Sequence, residues 1–134
     1  MEELYRNEFG AILYHPEDGI LELEWLEASA RMTDDDFMRS MERYAALAEE
    51  RRTPNMIVDV TRFRHSPGEH VGPWRDDHII PRYNSAGVRK FAFLLPPGAP
   101  GTVEAGSQPQ KEPPGKFPTG YFEDRRRIID WFAA

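Results

Sequence analysis

The densest group of residues that could do chemistry lies between positions 65 and 78. It contains three imidazoles and three carboxylates: His65, Glu69, His70, Asp76, Asp77 and His78. Such side chains bind metal ions and transfer protons, provided that several of them converge on one point. Their spacing matches no metal signature such as H-E-x-x-H. The pattern therefore favours a polar surface over a metal or catalytic site, and we assign no catalytic residue, metal or cofactor.

A second candidate group combines two aromatic rings with two arginines, namely Trp74, Arg75, Arg82 and Tyr83. These side chains could line a pocket for an anionic or aromatic ligand through stacking and cation–π contacts. The alternative is that Trp74 anchors a helix in the core and the arginines form its solvated edge. Core packing is the favoured interpretation, because tryptophan is highly buried on average.

The familiar catalytic motifs are absent from the sequence. It contains no G-x-S-x-G elbow, no phosphate-binding G-x-x-x-x-G-K-[ST] loop and no G-x-G-x-x-G fingerprint. It also contains no cysteine, which excludes disulfides, thiolate metal sites and cysteine nucleophiles. We therefore expect a protein that is not an enzyme.

The composition predicts one soluble domain covering residues 1–134. The hydrophobic fraction of 40% and the charged fraction of 30% are ordinary for a globular chain of this length. A net charge of −6 gives no general attraction for nucleic acid or anionic membranes. The N-terminus is acidic and mixed, and the longest apolar run is far too short to span a bilayer. We expect a cytoplasmic protein that binds neither nucleic acid nor membrane.

The first half of the chain predicts a β-hairpin followed by a helix. Residues 9–14 and 20–26 flank the turn sequence P-E-D-G, and apolar and acidic residues alternate in the second run. Thr33 can cap a helix, and the acidic triplet at 34–36 suits the positive end of its dipole. An apolar stripe continues this helix until Pro54 stops it. Capping is favoured for the triplet over a metal or phosphate-mimic site.

Two buried strands joined by a helix follow. Residues 56–60 and 88–95 are apolar runs typical of strands that are covered on both faces. Pro73 suits the first turn of a helix beginning near Trp74, and Pro81 interrupts that helix. A strand, a helical crossover and a strand favour a parallel pair. We therefore predict an α/β fold with a mixed sheet of four or five strands, an N-terminal hairpin and helices packed on the sheet.

The C-terminal part predicts a loop and one more helix. Residues 96–120 are rich in proline and glycine and favour an irregular loop. Residues 121–132 form an amphipathic pattern typical of a helix. Its arginines at 125–127 could bind phosphate or an acidic partner, but a solvated helix face is the favoured interpretation.

After a strand that ends in V-D-V-T at 58–61, the chain has Trp74, then Ile80-Pro81, then G-V-R-K-F-A-F at 87–93 and a closing aromatic-rich helix. This order of residues resembles the SpoIIAA-like family, which has the STAS fold. The resemblance implies kinship with anti-sigma-factor antagonists and, more distantly, with CRAL-TRIO lipid-binding domains. Such domains mostly bind and signal rather than catalyse.

The resemblance also directs attention to Ser66. Antagonists of this kind carry a phosphorylatable serine at the start of the helix that follows such a strand. A phosphate on Ser66 would add about −1.5 to −2 charge and could change a docking surface. However, His65 replaces the usual acidic residue and Pro67 follows the serine, so an ordinary Ser-Pro turn is the favoured interpretation.

The sequence thus predicts a non-enzymatic binding or regulatory domain that works through protein–protein interaction. The expected surface joins residues 64–72 to the start of the next helix, with an exposed apolar patch near Val71. The candidate binding residues are Ser66, His70, Trp74, Arg75, Arg82 and Tyr83. The alternative is a carrier of a small apolar, lipid-like ligand, with a pocket between the crossover helix and the last helix and a lid at 96–120. An enzyme that uses the histidine cluster ranks third, and free edge strands would permit a homodimer.

Overall fold

The computed structural model describes residues 1–98 and 116–134. Over these residues the chain forms one six-stranded mixed sheet whose strands lie in sequence order. The strands are β1 (Glu2–Arg6), β2 (Gly10–His15), β3 (Ile20–Trp25), β4 (Asn55–Asp59), β5 (Lys90–Leu94) and β6 (Thr119–Phe122). Strands β1 to β3 are antiparallel, and β3 to β6 run parallel. The α/β class, the hairpin and the parallel pair β4–β5 are confirmed.

The helices of the described residues are a 3-10 helix (Glu27–Arg31), α1 (Asp34–Arg51), α2 (Val71–His78), α3 (Ile80–Ala86) and α4 (Arg125–Ala133). Thr33 caps α1 as predicted. Its hydroxyl accepts from the backbone N of Asp36 at 3.1 Å, and the Asp36 carboxylate accepts from the backbone N of Thr33 at 3.0 Å. The break between α2 and α3 at Ile79 follows from Pro81, which has no N–H for the helical ladder.

The sheet separates two apolar clusters, because successive residues of a strand point to opposite faces. On one face α1, α2 and α3 cover the main core, which includes Leu23, Val58 and Phe91. On the other face Ile128 of α4 packs in a smaller cluster with Ile20, Ile57, Ala92 and Leu94. Strand β4 is therefore buried on both faces, as the apolar residues at its centre predict.

The prediction of four or five strands was wrong, because β1 and β6 lie at the sheet edges and carry weak signals. Strand β1 reads E-E-L-Y-R, and its residues are exposed or half-buried. Strand β6 reads T-G-Y-F and lies partly in the predicted loop and partly in the predicted last helix. The last helix begins only at Arg125. Asp124 caps its start, because the Asp124 side chain accepts a hydrogen bond from the backbone N of Arg126. Positions 99–115 of the predicted loop lie outside the described residues.

None of the helices in the described ranges is both long and apolar enough to cross a membrane.

Candidate functional site

The loop of residues 61–70, between β4 and α2, is tied to the first turn of α1 through Asp34. The Nε2 atom of His65 lies 2.8 Å from Oδ1 of Asp34. The backbone N of Gly68 donates to both carboxylate oxygens at 3.2 Å. The carboxylate of Asp34 therefore binds this loop at two points, His65 and Gly68. We call residues 61–70 the clamped loop.

A second set of contacts fixes the start of the clamped loop. The backbone N of Arg64 donates to the buried hydroxyl of Ser29 at 2.9 Å. The ring of Phe63 lies 5.2 Å from that of Trp25 and 5.8 Å from that of Phe37, while Trp25 and Phe37 stack at 5.4 Å. Aromatic pairs at these distances attract one another beyond simple burial. The loop backbone is thus anchored both by hydrogen bonds and by ring packing against the main core.

The electrostatics of the clamp favour an ionised Asp34. The hydrogen bond from His65 is the largest influence on the pKa of Asp34 and lowers it, and the N–H of Gly68 and the charges of His65 and His70 act in the same direction. Partial burial opposes them without cancelling them. The pKa of Asp36 is also lowered, chiefly by the backbone N–H of Thr33. Asp36 therefore caps the helix, as was predicted for the acidic triplet, whereas Asp34 holds the loop.

Two of the predicted binding residues lie on the clamped loop, and two lie on the helix that follows. Ser66 is exposed, and the His70 side chain is 63% exposed with its Nε2 atom 3.8 Å from Asp34. Trp74 is half-buried and packs against the main core, in agreement with the interpretation favoured from the sequence. Arg75 is also half-buried and pairs with its neighbour Asp76.

The remaining two predicted residues do not join this surface. Arg82 binds the carboxylate of Glu49 on α1. Tyr83 is 1% exposed, and its ring meets those of Tyr44 and Phe91 in the main core. The predicted ligand pocket that included Tyr83 is therefore filled by the core itself.

The histidine cluster does not converge. His65 and His70 face Asp34, whereas the ring of His78 lies on α2, 6.5 Å from that of Trp74. In the part of the chain that the structure describes, no group of three or more His, Cys, Asp or Glu side chains could hold a metal ion.

The expected apolar patch near Val71 is not present, because Val71 is 3% exposed and belongs to the main core. Among the described residues, the large hydrophobic side chain that is exposed is Met1. The outer surface of the clamped loop is therefore polar.

The pocket predicted for an apolar ligand cannot lie where it was expected. The crossover helices α2 and α3 cover the face with the main core, and α4 covers the other face. The sheet thus lies between the two elements that were expected to form the pocket walls.

A cleft of about 370 Å³ is present between the β1–β2 turn and α1, lined by Tyr5, Asn7, Glu8, Phe9, Asp36, Arg39 and Ser40. Its charged and amide groups already have partners. Asn7 accepts from the backbone N of Phe9 and of Gly10, Glu8 pairs with Arg31, and Asp36 pairs with Arg39.

The sequence analysis missed a charged network on the α4 face of the sheet. Glu22 in β3 is 1% exposed, and Arg125 donates to both its carboxylate oxygens at 2.7 Å. The Nε2 atom of His15 lies 3.1 Å from Oε1 of Glu22, and Oδ2 of Asp59 lies 3.8 Å from Arg125. Asp59 itself accepts from the backbone N and hydroxyl of Thr61.

This network corrects the expected role of Arg125, which does not simply form a solvated helix face. A buried carboxylate needs a counter-charge, and a bidentate arginine supplies it together with two strong hydrogen bonds. Because both terminal nitrogens of Arg125 are occupied by Glu22, the pair fastens α4 to the sheet. One signal in the sequence was the charged Asp59 inside an otherwise apolar strand.

The fold and the clamped loop define an α/β domain with helices on both faces of a mixed sheet and a preformed polar surface. Comparisons with protein-family models, with curated proteins and with solved structures gave no match to the chain.

Proposed function

We propose that this chain is a regulatory binding domain of the SpoIIAA-like, STAS-fold kind, which recognises a protein partner through the clamped loop and the first turn of α2. One observation carries the proposal. Asp34 and Ser29 hold the loop backbone in place, while the side chains of Arg64, Ser66 and His70 stay exposed.

A loop that is already ordered loses less conformational entropy when a partner binds, so more of the interaction energy appears as affinity. Polar side chains on a loop held by a rigid scaffold are a common arrangement of binding sites. The exposed side chains of Arg64 and Glu69 bring charge of both signs to this surface, and His70 adds an exposed imidazole. The partner surface should therefore be polar and charged, with recognition through hydrogen bonds and electrostatic complementarity.

The regulatory part of the proposal is supported by the place of Ser66. Strand β4 ends at Asp59, and Ser66 lies exposed in the loop that leads from it to α2, where the resemblance directs attention. A phosphate there would add about −1.5 to −2 charge to the centre of the proposed docking surface. Such a change would alter the affinity for a charged partner.

The test begins with crosslinking of the protein in its own cells, followed by purification of the crosslinked partner and calorimetric measurement of Kd. We expect Arg64→Ala or His70→Ala to weaken binding about tenfold. Arg89→Ala is the matched control, because Arg89 is also exposed but precedes β5 at the opposite end of the parallel strands.

Equal affinity of all three variants would remove the clamped loop from the interface. Native mass spectrometry of the purified protein provides an independent check. A bound small apolar molecule in place of a protein partner would contradict the proposal.

A further inference from the structure

The cleft between the β1–β2 turn and α1 is a second place where the molecule could hold a ligand. We propose that it binds a small, neutral, hydroxyl-rich molecule of about the size of a monosaccharide. This site goes beyond the proposed function, because the cleft and the clamped loop have no residue in common.

Both walls of the cleft are fixed by hydrogen bonds of the chain itself. In the turn, the Asn7 side chain accepts from the backbone N of Phe9 at 2.9 Å and of Gly10 at 3.0 Å. On the side of α1, the capping box joins Thr33 and Asp36. The cleft is therefore preformed, and its volume of about 370 Å³ suits a small molecule.

The observation that points most directly to a ligand is the state of Ser40, which lines the cleft. This residue is only 6% exposed, yet within residues 1–98 and 116–134 its hydroxyl forms no hydrogen bond. Unlike the hydroxyl of Tyr83, it is not sealed in the core. Because buried hydroxyls are normally hydrogen-bonded, a polar ligand group in the cleft would supply the partner that the protein does not.

Other groups of the lining keep hydrogen-bonding capacity beside their internal contacts. The Tyr5 hydroxyl accepts from Nδ2 of Asn7 at 3.4 Å and can still donate its own proton. Glu8 uses Oε2 for Arg31, so Oε1 remains available as an acceptor. Among the described residues, Arg39 makes one ion pair through Nη1, so its other N–H groups remain available as donors. The cleft thus offers both donors and acceptors.

The charges around the cleft favour a neutral ligand over an ion. The two carboxylates of the lining, Glu8 and Asp36, are each paired with an arginine. The guanidinium of Arg43 lies over the Tyr5 ring, 4.9 Å from its centroid, and is not part of the lining. An ion would lose hydration without meeting an unpaired counter-charge in the lining, whereas a hydroxyl group can donate and accept at low cost.

Two aromatic rings complete the match to a sugar. Tyr5 and Phe9 both line the cleft, and both are half-buried against the main core. A sugar ring carries C–H groups on its faces and hydroxyls around its edge, so an aromatic side chain can pack on the face while polar groups bind the edge. Apolar walls with a few polar groups that fix orientation are the usual composition of small-molecule sites.

NMR titration of the ¹⁵N-labelled full chain with glucose, galactose, mannose and N-acetylglucosamine, each up to about 50 mM, tests the site. We expect at least one of these sugars to shift the amide signals of residues 5–9 and 36–40 saturably, with a Kd on the order of 1 mM. Ser40→Ala should weaken that binding about five- to tenfold, because it removes one buried hydrogen bond. The matched control is Ser85→Ala, an exposed helical serine outside the cleft, which should bind as wild type does.

Tyr5→Phe provides a second variant, because it removes a hydroxyl from the cleft and keeps the ring. It should also weaken binding, by about two- to fivefold. Absence of saturable shifts with all four sugars would overturn the site, as would sugar binding that neither Ser40→Ala nor Tyr5→Phe weakens. Saturable binding of glucuronate without binding of any neutral sugar would overturn the proposed ligand class.

Discussion

Arg125 at the start of α4 donates two hydrogen bonds of 2.7 Å to Glu22 in the middle of β3, although 103 positions separate them in the chain. The Glu22 side chain is almost completely buried, while the Arg125 side chain is 44% exposed. The pair thus joins the last helix to the antiparallel half of the sheet, on the face that the main core does not reach.

We expect Arg125→Ala to lower the free energy of unfolding by about 2 to 4 kcal/mol, because Glu22 would remain as a buried charge without its main partner. The matched control is Arg126→Ala, which removes a neighbouring exposed arginine and should change stability by about 0.5 kcal/mol or less. Urea denaturation monitored by tryptophan fluorescence measures both variants. Similar stabilities of the two variants would show that the pair does not fasten α4.

A second prediction concerns two buried tyrosines with different hydrogen bonding. The hydroxyl of Tyr44 lies 2.7 Å from the backbone O of Leu21 and 2.8 Å from that of Ile57, and donates its proton between β3 and β4. The hydroxyl of Tyr83 is buried without a hydrogen-bond partner among the described residues. Burial raises the pKa of both phenols, so both stay protonated at any ordinary pH.

Because only one of these hydroxyls forms hydrogen bonds, Tyr44→Phe should cost about 1 to 2 kcal/mol of unfolding free energy. Tyr83→Phe should be neutral or stabilising by up to about 1 kcal/mol, since it removes an unsatisfied polar group. Thermal and denaturant unfolding of the two variants in parallel provide the measurement. The reverse order of stability would mean that Tyr83 has a partner in solution and Tyr44 does not need one.

The sequence predicted those parts of the fold whose signals are local. The cap at Thr33 and the apolar runs of β4 and β5 identify their elements without knowledge of the rest. Edge strands β1 and β6 lack such runs, because their residues are only partly covered. The clamp was not predictable in the same way, since His65 meets Asp34 across 31 positions.

Glu22 is a second case in which a contact with a distant part of the chain could not be predicted from the local sequence. In the alternating pattern of β3 it occupies a position that predicts exposure to solvent. The structure buries it because α4, which is far away in the chain, covers that face and brings Arg125. Strand periodicity gives the face of the sheet on which a side chain lies, but the cover on that face depends on the tertiary structure.

The third prediction compares two glycines in open surroundings. Gly87 ends α3 with a φ of 88°, and a Cβ added there would meet no atom within 4 Å. Gly72 lies within α2 and is equally open, but it needs no positive φ. At both positions the atoms beyond the immediate chain neighbours leave room for a Cβ. The backbone decides the outcome, through the positive φ of Gly87 and the helical conformation of Gly72 directly before Pro73.

Gly87→Ala should destabilise the protein by about 1 kcal/mol, because a side chain disfavours the left-handed conformation. Gly72→Ala should change stability by less than about 0.5 kcal/mol, because the preference of alanine for a helix is offset by the clash of its Cβ with the ring of Pro73. Differential scanning calorimetry of both variants measures the difference between them. Destabilisation by both would indicate that α2 does not tolerate a side chain at position 72.

The fourth prediction concerns the pH dependence of stability that Asp34 causes. Its pKa is lower in the folded protein than the ordinary value of 3.8, chiefly because His65 donates a hydrogen bond to the carboxylate. A carboxylate of this kind contributes stability above its unfolded pKa and loses that contribution as the pH falls through its folded pKa. Wild type should therefore exceed Asp34→Asn in stability at about pH 5.5, and the difference should shrink as the pH falls below about 3.8.

The matched control is Asp35→Asn, which removes an acidic group from the same turn of α1 but leaves the clamp in place. Both substitutions weaken the interaction of the first turn with the helix dipole, so any excess effect of Asp34→Asn measures the contacts with His65 and Gly68. Denaturant unfolding between about pH 3 and pH 7 follows the excess, which should be present at the upper end of this range and shrink as the pH falls below about 3.8. An excess that is constant over this whole range would mean that neutral hydrogen bonds alone hold the loop, because only the ionic part of the clamp can titrate.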